Sequence, residues 1–145
     1  MPQVNNIEHL RNWFRSCPAL NKKNRLGVDY ISEKPTEYSI MASPSTLQYR
    51  ENVLGERVLR DVQVQNYMFM SRNSWGPDNQ QNIATEGLYQ DIVDWINEQN
   101  RKRNFPKVND GEVRAVRATL TVMLSETGPD NALYQIPIAI EYKVE

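Results

Sequence analysis

Apolar positions along this chain follow two periods, and the changes between them mark its elements. Ile7, Leu10, Trp13 and Phe14 recur at helical spacing and predict a helix over about residues 5 to 16. Asn5 or Asn6 is placed to cap its start, and Pro18 in "SCPAL" closes it because proline disfavours helix in the residue before it. "RLGVDYI" and "TEYSIMA" then read as short strands on either side of the turn-like "SEKP", with Val28, Tyr30, Tyr38 and Ile40 pointing inward. The polar stretch "SPSTLQYRENVLGER", residues 43–57, reads as a long loop.

"RVLRDVQVQNYMFMSR" carries the longest strand pattern. Val62, Val64, Met68 and Met70 share one face with Asn66; Gln63 and Gln65 lie on the other, followed by Tyr67 and Phe69. Such a strand is half-exposed at first and buried on both faces later. "NSWGPDNQQN" breaks it, and a second helix follows over about 79–103. There Ala84, Leu88, Ile92 and Ile96 step by four with Trp95 beside them, Asp91 and Asp94 face elsewhere, and Glu98 and Lys102 form a favourably ordered pair. Two strands close the chain. Val116, Ala118, Leu120, Val122 and Leu124 alternate in one, Tyr134, Ile136, Ile138, Ile140, Tyr142 and Val144 in the other, with the turn "TGPDN" between them. Pro137 lacks a backbone donor and marks its strand as an edge or a bulge. The expected order is α-β-β-β-α-β-β: one α+β domain over residues 1–145, a mixed or antiparallel sheet with both helices on one face.

Composition narrows the chemistry. The 145 residues suit one domain, and their net charge of -1 argues against a dedicated DNA binder, which would be strongly basic. One cysteine, Cys17, excludes an internal disulfide or a thiolate metal cluster. "MPQVNNIEHL" lacks the basic start and apolar centre of a signal peptide, and no apolar run approaches the roughly 20 residues of a membrane helix. A soluble chain with no membrane partner is expected. The six glycines form no phosphate-cradling loop; Gly87, inside the second helix, is placed to admit another element closely. His9 has no carboxylate to orient it, and Cys17 sits at the wrong pole of a helix for a reactive thiolate. No catalytic, cofactor or metal residues are therefore assigned, and an acyltransferase or hydrolase lacks the groups it needs.

Arg101, Lys102, Arg103 and Lys107 gather at the end of the second helix. Favourable cations at a negative helix pole explain them, and so does contact with nucleic acid or an acidic neighbouring subunit. Tyr49 beside Arg50 in the 43–57 stretch, Trp75 in "SWGPD" and Tyr89 on the second helix are candidate surface aromatics, which either pack within their own subunit or meet a neighbour.

Five stretches carry a resemblance: "LRNWFRSCPAL", "VDYISEKPTEYSI", "QYRENVLGERVLRDVQVQNYMFMSR", "LYQDIVDWINEQNRKRNFP" and "YQIPIAIEYK". In this order they resemble a family of small minor capsid, tail completion or tail terminator proteins from tailed phages and prophages of Gram-positive bacteria. The distinctive pieces are Cys17-Pro18, Asp29-Tyr30, Tyr38-Ser39-Ile40, Trp95-Ile96, Gln99-Asn100 and Phe105-Pro106. The segment around "ENVLGERVLRDV" is longer than the family's pattern. The resemblance implies a non-enzymatic virion part without a cofactor, made in the host cytoplasm. It implies a homo-oligomeric ring, typically hexameric, that caps the tail tube protein and joins it to the head–tail connector proteins. The 43–57 stretch and the basic helix end are then the expected subunit-interface or lumen surfaces, the latter meeting DNA without sequence choice. The rival reading is a nucleic-acid-binding α+β module, stacking bases on Tyr67 and Phe69 and holding phosphates with Arg101 to Lys107.

Overall fold

A computed structural model describes residues 5–20, 26–28, 37–45, 47–74, 76–77, 79–109, 111–118, 123–127 and 131–144. The first helix, α1 (Asn6–Phe14), is capped by Asn5, whose side-chain oxygen accepts the Glu8 N–H at 3.0 Å. It buries Leu10, Trp13 and Phe14. Five strands follow: β1 (Leu26–Val28), β2 (Glu37–Ser43), β3 (Tyr49–Glu51), β4 (Arg57–Leu59) and β5 (Val62–Ser74). Then come α2 (Asn79–Lys102), β6 (Gly111–Ala118), β7 (Met123–Thr127) and β8 (Asn131–Val144). Tyr30, Leu120, Val122 and the turn-like "SEKP" lie outside the described residues.

The main sheet has six strands in the order β1-β2-β5-β8-β6, with β7 also paired to β8. The β1–β2 pair is parallel and every other pair antiparallel, so the sheet is mixed. Both helices cover the same face, α1 over β1 and β2, α2 over β5 and β6, which is the α+β arrangement expected from the hydrophobic pattern. Trp13 and Trp95 tie the helices together at 4.5 Å between ring centroids.

The alternation of β8 holds over most of its length: Tyr134, Ile136, Ile138 and Ile140 are all buried, while Tyr142 and Val144 are half-buried. Register places them opposite Ser71, Phe69, Tyr67 and Gln65 of β5. Phe69 is the centre of the layer, stacked on Phe14 at 5.1 Å and Tyr38 at 5.9 Å, with Tyr89 edge-on at 6.2 Å. Each fully buried apolar side chain of this size contributes about 1.5–3 kcal/mol. The other face is uncovered by helices, with Met41 and Val62 exposed and Met70 buried.

The pattern misleads in five places. Pro137 is in a central strand, not at an edge: it pairs with Met68 at the level where the other neighbour of β8 passes from β6 to β7. The single strand expected from residue 57 onward is broken at Arg60 and Asp61, and its first part turns back as β4. In consequence the 43–57 stretch is not a loop but the start of a hairpin, β3 pairing with β4. At the start of β5 the buried residue is Gln63, while Val62 is 39% exposed, so polarity and burial are inverted there. On α2 the buried line is Thr85, Tyr89, Ile92, Ile96 and Gln99, and Ala84 is exposed. A strict step of four rotates about 40° per step around a helix of 3.6 residues per turn, so Ala84 drifts off the face that Ile96 occupies.

Candidate interface surfaces

The β3–β4 hairpin is built by polar groups that hold its backbone. At its tip, the Asn52 side-chain oxygen accepts the N–H of Leu54 at 2.9 Å and of Glu56 at 3.0 Å. Gly55 has φ +80, the left-handed conformation that glycine adopts without a steric penalty. At its base, the buried Gln63 amide accepts the Gln48 N–H at 2.9 Å and donates to the carbonyls of Gln48 and Arg60, each at 2.9 Å. These three bonds explain why a glutamine is buried where the pattern asked for an apolar residue: it ties the Gln48 and Arg60 backbone to the start of β5, beside the Arg60 N–H that donates to the Gln48 carbonyl at 2.9 Å. The Asn66 N–H donates to Ser45 Oγ at 2.8 Å on the neighbouring connection.

Held this way, the hairpin is an arm. Among the described elements β3 and β4 pack only on each other. Tyr49, Leu47 and Leu59 are exposed along it, and Val53 (101% exposed) and Leu54 (78%) crown the tip. Arg57 lies over the Tyr49 ring at 4.2 Å. Arg50 shares the opposite face with Val58, which it pairs directly across the strands. A shallow depression of about 400 Å³ is lined by Leu47, Gln48, Tyr49, Arg50, Glu51 and Arg57. Tyr49 and Arg50 thus stand on one structured projection, where the sequence pattern predicts a loop. Val53 and Leu54 were missed; the signal was an apolar pair directly before a glycine in an otherwise polar stretch.

The basic end of α2 is a different kind of surface. Arg101 and Lys102 both pair with Glu98, which holds that carboxyl below its ordinary range, Arg101 being the larger influence. Arg103 has φ 56, with its N–H donating to the Asn100 carbonyl and the Asn104 N–H to the Gln99 carbonyl. This is the hydrogen-bond pattern of a helix terminus whose left-handed position normally carries glycine. Arginine there costs about 1–2 kcal/mol relative to an unstrained backbone. Arg103 and Lys107 border a second open depression of about 400 Å³, with Phe105, Pro106 and Glu112 among its other lining residues. Helix termination therefore accounts for Arg101 and Lys102, while Arg103 and Lys107 point cations into open space beside one carboxylate.

The remaining candidates separate. Trp75 lies outside the described residues. Tyr89 is not a surface aromatic: it is 1% exposed, its hydroxyl 2.5 Å from Ser71 Oγ and donating to the Tyr134 carbonyl at 3.1 Å. The drift that exposes Ala84 turns Tyr89 inward. Tyr67 and Phe69 are buried beneath the helices, so no base can stack on them as the nucleic-acid reading requires. Among the described residues Gly87 admits no close element; nothing there lies within 4 Å of where its Cβ would be. His9 Nε2 is 3.2 Å from Asn109 Oδ1, and Cys17 is buried with its thiol pushed up by desolvation. Among the described residues no three His, Cys, Asp or Glu side chains gather as a metal site would need, and no helix is long and apolar enough to cross a membrane. No protein-family model matches the chain, and no curated protein matches it closely enough to count as a relative.

Proposed function

We propose that the chain is a virion structural protein of the tail terminator or head–tail joining type, working by self-association into a ring. The observation that carries this reading is the β3–β4 arm. A hairpin framed by the Gln63 and Asn52 hydrogen bonds holds Val53 and Leu54 in water, with no element among the described residues to receive them. Apolar tips held on a polar frame in this way are surfaces for a partner. A closed ring needs two different patches per subunit, and a projecting arm supplies one of them. In this reading the ring caps the tail tube and meets the connector, and Arg103 and Lys107 offer phosphate contacts to passing DNA.

Solution mass tests it. The expected result is a species of roughly 100 kDa, six chains of 16.9 kDa each, formed by the free protein or on purified tail tubes. A chain that stays monomeric at high concentration, and also in the presence of tubes, would discard the reading.

A further inference from the structure

We infer that the β3–β4 arm of one protomer docks on the solvent-facing stripe of α2 in a second copy, with the arm tip against Ile83 and the arm arginines against Glu86, Asp91 and Asp94. The inference rests on the ring reading and names both halves of its contact.

Three peculiarities meet on that stripe. Ile83 is 63% exposed on the side of α2 away from the core. Gly87, one turn on, costs about 1 kcal/mol in a helix interior relative to alanine, and nothing among the described residues uses the space. Glu86, Asp91 and Asp94 flank this line, all exposed; none has an ion-pair partner among the described residues, and α2 carries no Lys or Arg before Arg101. An apolar knob, a bare stretch of backbone and a row of carboxylates describe a seat for an extended segment that is apolar at one end and cationic at the other.

The arm has that description. Its tip is Val53 and Leu54, and Arg50, Arg57 and Arg60 follow along its strands, again without an ion-pair partner among the described residues. The spans agree. Leu54 to Arg50 covers at most about 13 Å at ~3.3 Å per extended residue, with the chain turning at Val53 and Leu54. Ile83 to Asp91 covers about 12 Å, and to Asp94 about 17 Å, at ~1.5 Å per helical residue. Glu51 and Glu56 also belong to the arm, but Arg50 lies on the face opposite Glu51, whose register partner is Arg57.

Placement excludes the contact within one subunit. The arm leaves the sheet at the Ser43 and Val62 ends of β2 and β5, whereas α2 begins beyond Ser74, at the other end of β5. Ile83 therefore sits at the end of the sheet opposite the arm, and among the described residues β3 and β4 share no contact with α2, as a head-to-tail contact requires.

The experiment uses the full chain and reads mass and cross-linking together. Wild-type mass decides the ring reading first. Arg50→Glu with Arg60→Glu, and separately Asp91→Arg with Asp94→Arg, should each lower the assembled fraction more than about tenfold, because like charges then face each other. Combining the two sets in one chain should restore assembly. All four positions are exposed, and circular dichroism checks that each variant stays folded. In a second readout, Leu54→Cys with Ile83→Cys should give a ladder of oxidised oligomers, with the native Cys17 buried and silent. Leu54→Cys with Met41→Cys, on the uncovered sheet face, should not. A wild-type ring that tolerates both inversions, or that cross-links through position 41 and not 83, overturns this contact while leaving the ring intact. A monomeric wild type overturns both.

Discussion

Phe69 and Leu54 are both large apolar residues in the β-rich half of the chain, and the fold treats them in opposite ways. Phe69 is 0% exposed, enclosed by Phe14, Tyr38 and Tyr89; Leu54 is 78% exposed at the end of the arm. Around Phe69 the order is imposed by packing, since rings from α1, β2 and α2 fill the space on every side. Around Leu54 it is imposed by hydrogen bonds, since Asn52 and Gln63 fix the backbone and leave the side chains outside. Stability and recognition are thus divided between regions, and each is held by a different force.

The largest break in this contrast should come at the centre of the core. Phe69→Ala removes the ring that three elements share, and a loss of about 3–5 kcal/mol is expected in chemical denaturation. A loss below about 1 kcal/mol would mean that the layer is not packed as described. Next comes the arm's base. Gln63→Ala removes all three hydrogen bonds at the arm's base, so a cost of about 1–3 kcal/mol is expected. Trypsin should then cut sooner after Arg50, Arg57 and Arg60, and unchanged cleavage would show that the amide does not hold the arm.

Tyr89→Phe is a smaller change inside the core. It removes the hydroxyl that bridges Ser71 and the Tyr134 carbonyl, for about 1–2 kcal/mol at neutral pH. It also changes the alkaline limb. Burial raises the Tyr89 phenol well above its ordinary value, with Ser71 partly opposing that rise. Folding keeps the phenol protonated, so its contribution is complete below the unfolded pKa of about 10 and is lost as pH climbs past it. The variant should lose stability less steeply than wild type above about pH 10; parallel curves would count against a buried phenol. The smallest effect on stability belongs to the tip. Val53→Ser with Leu54→Ser should shift the unfolding midpoint by less than about 0.5 kcal/mol while weakening assembly. A large destabilisation would place the tip in its own subunit's core.

Legibility in the sequence followed local rules. The alternation from Tyr134 to Ile140 and the Ile92–Ile96 face were readable because each depends only on the period of its own element. Val62 and Gln63 were read the wrong way round because hydropathy does not reveal that two backbone carbonyls and an N–H need a buried amide. Tyr89 was read as outward because a helix rotates gradually relative to any strict four-residue step. Of the candidate site, Tyr49 and Arg50 were singled out by residue type, but the apolar tip was hidden in a stretch whose average is polar.

The sequence by itself determined the class of this protein, two amphipathic helices against strands of period two, because burial of one face per element is a local property of the residue order. Only the tertiary structure decided that residues 49–59 form an arm, that Pro137 stands in a central strand, and that Tyr89 faces inward while Ala84 faces outward. Each of those depends on which distant groups lie alongside, and neighbours in space follow from sheet order and register, which no single stretch of residues encodes.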